Sequence, residues 1–344
     1  MSNLAIGSVR ALALAVALVA TTASGQDRSV PALARNRYRS GEETLRAFAP
    51  VSEATRTSIV KLNVNSATVA LATIMTSDGL ALTKASEIKK GKLTAWLATE
   101  KEVDAEILAT DEDEDVALVR VHGPGLKPVR WASDSVSVGQ WAITPGIADT
   151  PQAVGIISAL PRRIRPTRAY IGIEFDLKAA RPQIAALMEG LGAEKAGLKQ
   201  GDIIVRVNET GVTNREQVIE IVRDFREGQI LKLRLQRAGQ EFEKDIKLMP
   251  LPASLAEFGF GGRRGLGELN GAVSTRAEGF EQAIEHDTVL QPWLCGGPLV
   301  NLDGQAVGLN IAHASRVSTY ALPAPLVKSL FEKLSQSAVR RAGS

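Results

Sequence analysis

Short apolar segments separated by turn residues recur in two parts of this chain, and they restrict the folds that it can adopt. Residues 58–64 alternate apolar and polar side chains, and residues 69–75 run into the turn Ser77–Asp78–Gly79. Comparable segments lie at residues 80–83, 93–97, 102–108, 116–121, 138–146 and 154–158, and again at 272–274, 305–311 and 317–321. Short strands at close spacing predict a mainly β protein, built as a barrel or a sandwich.

A different pattern separates these two β-rich parts. Residues 169–175 predict a strand, and residues 184–188 predict a short helix. Residues 215–225 carry apolar side chains close to helical spacing, with Asn214 as a candidate N-cap. The segments 230–235 and 242–248 predict a β-hairpin that turns at Ala238–Gly239. The middle of the chain is therefore expected to be a separate unit that mixes helix and strand.

The two ends of the chain suggest segments outside the β core. Arg10 precedes an uninterrupted apolar run at residues 11–20, and small residues follow as far as Gly25. This pattern is typical of a secretory signal, and an uncleaved membrane anchor is the alternative. Residues 26–54 predict a flexible arm or a single short helix, and Pro325–Leu334 predicts an amphipathic helix.

Composition and charge argue against several kinds of partner. A net charge of +3 over 344 residues gives no strong field, so no nucleic-acid partner is expected. The glycine-rich stretch Gly259–Gly267 is interpreted as a linker, because it lacks the Lys-Ser/Thr ending of a phosphate-binding loop. No cofactor and no metal site are predicted. Cys295 is the single cysteine, so in an exported chain it is a free thiol or an intermolecular link.

The run from Gln291 to Gly304 has the residue types of a protease nucleophile loop. It reads Q-P-W-L-C-G-G-P-L-V-N-L-D-G and resembles the nucleophile loop of trypsin-like serine proteases of the HtrA/Deg type. Members of that family read roughly N-P-G-N-S-G-G-P-L-V-N-x-x-G at this place. Further matching phrases occur in order along the chain, at residues 76–79, 115–119, 154–158 and 308–310.

The middle unit resembles the PDZ domain of the same family. Tyr170–Ile173 matches the strand and loop that bind a carboxylate, and Ala196–Asp202 matches the turn A-G-L-x-x-G-D. Together the resemblances imply a mainly β fold class, a trypsin-like double β-barrel interrupted by an α+β PDZ domain. In the family the PDZ domain follows the completed protease, so an insertion ahead of the nucleophile loop is unusual. It is tolerable if the ends of the insert lie close together.

The expected domains follow from these assignments. They are a signal peptide at 1–25, a flexible arm at 26–54, a first barrel part at 55–165, a PDZ domain at 166–250, a glycine-rich linker at 251–269, a second barrel part at 270–336 and a tail at 337–344.

The resemblance implies that the catalytic triad is degenerate. Ser86 stands at the histidine position, Asp115 at the aspartate position and Cys295 at the serine position. A serine hydroxyl cannot act as the general base near neutral pH, although a thiol is itself a good nucleophile. The oxyanion loop would be Trp293, Leu294 and Cys295, with tryptophan where the family has glycine. We expect either a strained Trp293 or an inverted loop there.

Three residues could replace the missing base. His286 and His313 are the candidates among the histidines, and Lys84 is a weaker one. The three changes in the site together nevertheless predict lost proteolysis. The alternative is an active endopeptidase that uses Cys295 as its nucleophile with Asp115 and a relocated base, and a third possibility is a barrel that serves only in assembly.

The PDZ resemblance implies a peptide-binding groove with its chemistry intact. Its edge and loop would be Tyr170, Ile171, Gly172 and Ile173, and its helical wall would carry Val218, Ile219 and Val222. The alternative is a PDZ fold that only packs on the barrel. The favoured function is an exported pseudoprotease, secreted or periplasmic and connected with protein quality control, which binds peptides or protein C-termini and can form a homo-oligomer.

Overall fold

Two closed β-barrels form most of the structure that can be described, and a smaller unit interrupts the second of them. The computed structural model describes Tyr38 and residues 40–166, 169–250 and 272–342. The predicted signal peptide and the glycine-rich linker lie outside the described residues. Among the residues that are described, no helix is both long and apolar enough to cross a bilayer.

Two short helices precede the first barrel. They are α1 (Glu42–Ala47) and α2 (Ala49–Thr55), and a 3-10 turn at Arg56–Ser58 follows them. Phe48 packs on the ring of Trp141 in the second barrel, with 5.0 Å between the ring centroids, and Val51 is buried beside Ile143. The prediction was a flexible arm or a single short helix, and residues 42–54 instead form two short helices, which the burial of Val51 and the packing of Phe48 hold against the barrel.

The first barrel contains six antiparallel strands. They are β1 (Ile59–Val64), β2 (Ala67–Ile74), β3 (Leu80–Lys84), β4 (Leu93–Trp96), β5 (Glu102–Asp111) and β6 (Val116–Val121). Their order around the barrel is β1-β2-β3-β6-β5-β4. Gly79 joins β2 to β3 at φ +93°, and a Cβ atom there would lie 2.2 Å from the Val121 carbonyl oxygen. Only glycine fits this turn.

The second barrel is closed by strands from both sides of the insert. Its strands are β7 (Trp141–Thr144) and β8 (Ala153–Ile164), then β15 (Phe280–His286), β16 (Pro298–Val300), β17 (Ala306–Ser315) and β18 (Ser318–Pro323). Strand β15 pairs with both β8 and β18. The predicted strand at 272–274 was wrong, because its described residues form no strand and β15 is the first strand after the insert.

The insert, residues 169–250, is a mixed unit with its own apolar core. Its elements are β9 (Ile173–Phe175), β10 (Ile184–Leu187), α3 (Gly192–Lys195), β11 (Ile203–Val207), β12 (Thr210–Gly211), α4 (Arg215–Val222), β13 (Ile230–Arg237) and β14 (Gln240–Lys247). Asn214 caps α4 as predicted, because its side-chain oxygen accepts the Gln217 N–H. The predicted helix at 184–188 was wrong, since β10 occupies this place and pairs with β9.

The ends of the insert lie side by side. The Tyr170 N–H donates to the Met249 carbonyl at 2.8 Å, and the Met249 N–H donates back to the Tyr170 carbonyl at 3.1 Å. An insert whose ends meet can interrupt a barrel without separating the strands that flank it. This pairing explains how β8 and β15 remain neighbours.

A long helix, α5 (Ala324–Ala342), ends the described chain. Val327, Leu330 and Leu334 are buried with Leu118 of the first barrel. The helix continues to Ala342, so most of the segment expected as a tail at 337–344 is helical.

Candidate functional site

The loop before Cys295 is wound into a 3-10 turn at Pro292–Leu294. The Cys295 N–H donates to the Pro292 carbonyl at 3.1 Å, and the Leu294 N–H donates to the Gln291 carbonyl at 2.9 Å. The Cys295 carbonyl accepts the Leu71 N–H from the first barrel. These bonds fix the loop in a conformation that uses its own N–H groups internally.

This conformation removes one of the two oxyanion donors that the resemblance implies. The N–H of Cys295 is bonded within the turn, although the resemblance makes it one of two donors. The second implied donor is the N–H of residue 293. Trp293 has a negative φ there, and its side chain is 44% exposed. Of the two expected alternatives, a strained Trp293 or an inverted loop, the structure does not show the strained one, because the 3-10 turn accommodates the tryptophan. The loss of one such donor lowers kcat by about 10²–10³.

Asp115 and Ser86 lie together, and Lys84 completes the cluster. The Ser86 N–H and Oγ donate to the Asp115 carboxylate at 2.8 and 2.9 Å. Lys84 Nζ donates to Asp115 Oδ2 at 2.5 Å, and the Lys84 side chain is 0% exposed. Three donors thus satisfy the carboxylate that in a working triad would orient an imidazole.

The Cys295 thiol is buried and protonated. Burial raises the pKa of Cys295 to about 11, and the nearby Lys84 ammonium opposes this shift without overcoming it. In the described part of the chain, the side chain that bonds to the sulfur is Ser274, with 3.9 Å between Oγ and Sγ. A thiol is nucleophilic as the thiolate, so this environment suppresses reactivity near neutral pH.

Each histidine ring has a side-chain oxygen within contact distance. His122 Nε2 lies on the surface, 3.3 Å from Glu106 Oε1. His286 is fully buried with Nδ1 2.6 Å from Thr288 Oγ1, and burial lowers the pKa of His286 to about 4. The ring of His313 has Nδ1 3.5 Å from Thr319 Oγ1. Each of these contacts joins a ring nitrogen to a side-chain oxygen, while the main chain of His313 hydrogen-bonds to the Cys295 sulfur.

Alkylation should report the buried state of Cys295. At pH 8 we expect native protein to react with iodoacetamide at least about a hundredfold more slowly than denatured protein, because a pKa of about 11 leaves little thiolate. Intact-mass measurements over time give both rates. Equal rates in the two states would contradict the geometry around the sulfur.

The predicted peptide-binding residues line one groove in the insert. Its cavity of about 170 Å³ lies between the segment 169–175 and α4. Seven predicted residues border it, and they are Tyr170, Ile171, Gly172, Ile173, Val218, Ile219 and Val222. Arg223 at the end of α4 also borders the groove, and sequence reasoning missed it because no pattern marks one arginine at a helix end.

Backbone N–H groups are available at one end of this groove. The N–H groups of Ile171 and Gly172 have no hydrogen-bond partner within the described residues. Gly172 has φ +90°, and a Cβ atom there would lie 2.3 Å from the Leu191 side chain. The loop therefore requires glycine and presents unpaired donors to a ligand. In the same described ranges, no group of three or more acidic, histidine or cysteine side chains could hold a metal ion.

The sequence profile of the PDZ family matches residues 169–248. The insert is a PDZ domain. A DegP-like periplasmic serine endoprotease of Ectopseudomonas mendocina is 32% identical over 103 residues, which cover 28% of this chain and 22% of the relative. A protein of the same name from Pseudomonas putida is 23% identical over 273 residues, covering 55% of this chain and 57% of the relative.

Among solved structures, the serine endoprotease from Yersinia pestis is 18% identical and covers 60% of this chain and 98% of its own, with a TM-score of 0.36. A likeness this low supports no argument about activity. The chain spans between about a fifth and somewhat over half of the curated relatives' lengths. The predicted resemblance to HtrA-type trypsin-like proteases with a PDZ domain is confirmed, as is the fold class. The roles of the site residues and the domain limits stay predictions.

Proposed function

We propose that this protein is an exported, HtrA-like pseudoprotease that binds peptides or protein C-termini through its PDZ domain. The observation that carries the proposal is a contrast between two sites. The PDZ groove presents unpaired backbone donors beside an apolar cavity, whereas the Cys295 N–H of the barrel site is bonded within its own turn and burial raises the pKa of the Cys295 thiol.

The binding mode follows from the groove. An extended peptide can lie between β9 and α4, with main-chain hydrogen bonds to the strand. Its terminal carboxylate would accept from the N–H groups of Ile171 and Gly172, and the Arg223 guanidinium adds positive charge at the border of the cavity. A cavity of about 170 Å³ suits one apolar side chain, which Val218 and Val222 would contact.

Export rests on two independent observations. The residues before position 26 have the pattern of a secretory signal. The relatives from Ectopseudomonas mendocina and Pseudomonas putida are named as periplasmic proteins. A periplasmic or secreted location is therefore part of the proposal, and fractionation of the producing cells tests it.

A pair of isoleucine substitutions tests the groove. Ile219 is 40% exposed on α4 and borders the cavity, while Ile230 is 62% exposed on β13 and does not. We expect Ile219→Glu to weaken binding of C-terminal peptides about tenfold or more, because a charge enters an apolar pocket. Ile230→Glu should leave the affinity unchanged. Titration calorimetry with a peptide selected from a random C-terminal library gives the affinities.

Amidation of the same peptide distinguishes recognition of the terminal carboxylate from non-specific binding. We expect the amidated form to bind at least tenfold more weakly, since the carboxylate no longer meets the free N–H groups. Equal binding of both forms, or equal loss in both isoleucine variants, would contradict the proposed groove.

A further inference from the structure

The first described stretch after the PDZ domain runs into the barrel site. Ser274–Arg276, here called the return segment, follows the linker and precedes β15. The Ser274 N–H donates to the His313 carbonyl at 2.9 Å, and the His313 N–H donates to Ser274 Oγ at 3.0 Å. Ser274 is therefore bonded to the main chain of β17 on the side where Cys295 lies.

The next two residues bind the first barrel. The Thr275 N–H and Oγ1 donate to the two carboxylate oxygens of Glu87, at 2.8 and 3.1 Å. The Arg276 carbonyl accepts from Lys84 Nζ at 2.8 Å. The return segment thus contacts the cluster around Lys84 in the first barrel and β17, beside Cys295, in the second barrel.

The side chain of Arg276 anchors the segment at its far end. Its guanidinium donates to four main-chain carbonyls, and it lies 4.7 Å from the centre of the Phe280 ring. The acceptors are the carbonyls of Glu112, Asp113, Glu278 and Gly279. Such an anchor fixes the register of the segment against the site.

We propose that the return segment is a tethered strap that closes the barrel site by taking the place of a polypeptide on β17. An extended peptide that adds to a strand edge needs the main-chain N–H and carbonyl of that strand. At His313 both groups are already bonded to Ser274. Because the strap belongs to the same chain, its effective concentration exceeds that of a free peptide.

This inference concerns the barrel site and does not rest on peptide binding by the PDZ groove. It does deepen the pseudoprotease part of the proposed function. The missing base is one reason for lost proteolysis, and a blocked barrel site is a second one. The two can fail separately, because closure is measured by access to Cys295 and proteolysis by substrate turnover.

Release of the strap is the first test. Ser274→Pro removes the donor to His313 together with the hydroxyl, and Glu87→Ala removes both contacts to Thr275. In each folded variant we expect alkylation of Cys295 to accelerate about tenfold or more over the unaltered protein. Because the Glu87 charge itself raises the pKa of Cys295, the matched control is Glu87→Gln, which removes the charge but keeps an acceptor for Thr275, and it should accelerate alkylation less than Glu87→Ala.

Unchanged alkylation in folded Glu87→Ala would overturn the strap. If Ser274→Pro does not fold, the Glu87→Ala variant and a disulfide cross-link between positions 274 and 295 test the strap in its place. Should a released variant begin to degrade protein, the strap stands and the pseudoprotease proposal falls.

A cross-link tests the position of the strap directly. Ser274 Oγ lies 3.9 Å from Cys295 Sγ, so a sulfur there must move by about 2 Å to reach disulfide length. We expect Ser274→Cys to form an intramolecular disulfide with Cys295 under a mild oxidant. Ser337→Cys, at a half-buried position on α5, should not. Two free thiols after oxidation of folded Ser274→Cys would contradict the placement.

Discussion

Replacing Lys84 by methionine is expected to lower the free energy of unfolding by about 3–5 kcal/mol. The Lys84 ammonium and the Asp115 carboxylate form an ion pair with 0% and 4% exposed side chains. Removal of one partner leaves the other charge buried, which costs far more than the loss of a surface pair. Chemical denaturation of Lys84→Met beside the unaltered protein measures the difference.

Two further variants identify the cause of that loss. Lys92→Met breaks the exposed Lys92–Asp104 pair of the same barrel, and we expect a change below about 1 kcal/mol. In the double variant Lys84→Met/Asp115→Asn the charge is removed from both partners, and asparagine tolerates the φ of +59° at this position. The double variant should be less destabilised than the sum of the single changes. Strict additivity would contradict a coupled buried pair.

Replacing Glu114 by glutamine is expected to stabilise the protein by about 3 kcal/mol at pH 8 and much less at pH 5. The pKa of Glu114 is raised to about 7, mainly by burial and also by the Asp111 and Glu281 carboxylates, while the Glu281 N–H and Arg276 oppose the shift. The native state then holds a proton that the unfolded state releases, so native stability falls as pH rises from about 4.5 through 7. Glutamine removes this loss.

The setting of Glu114 explains its burial. It borders a cavity of about 250 Å³ between the barrels and the segment that follows α4, together with Asp224 and Arg226 of the PDZ domain. Its Oε2 atom is buried without a hydrogen-bond partner in the described structure. Glu106→Gln, a change at an exposed carboxylate, is the control. A constant difference between Glu114→Gln and the unaltered protein from pH 5 to pH 8 would contradict the assignment.

His286 gives the opposite pH dependence and must be separated from Glu114. Burial lowers the pKa of His286 to about 4 from an ordinary value of 6.5. The stability associated with the neutral imidazole is therefore lost as pH falls from 6.5 towards 4. Measurements above pH 6.5 isolate the part of the Glu114 effect that His286 does not influence.

Much of the fold could be predicted because the strands show their burial in the sequence. Residues 116–121 were predicted as a strand and form β6 with the same limits, since apolar side chains fill the barrel there. Residues 184–188 were wrongly predicted as a helix, because the four-residue strand β10 is too short to show the alternation of a strand. Pairing with β9, not local propensity, determines its conformation.

The candidate site could be predicted in position but not in chemistry. The resemblance located Ser86, Asp115 and Cys295 in one region, and the first two are in contact. Burial of Lys84 could not be predicted, because lysine is seldom buried and its partner lies far away in the sequence. The contacts of the strap with β17 could not be predicted either, because they are hydrogen bonds to the main chain and do not require particular residue types in β17.

Degradation of an unfolded protein by the full, reduced chain tests the central claim most directly. The assay compares unaltered protein with Cys295→Ala, each with and without a peptide that occupies the PDZ groove. We predict no cleavage above the rate without protein in any of the four samples. Cleavage by the unaltered chain that disappears in Cys295→Ala would contradict the account and establish Cys295 as a working nucleophile.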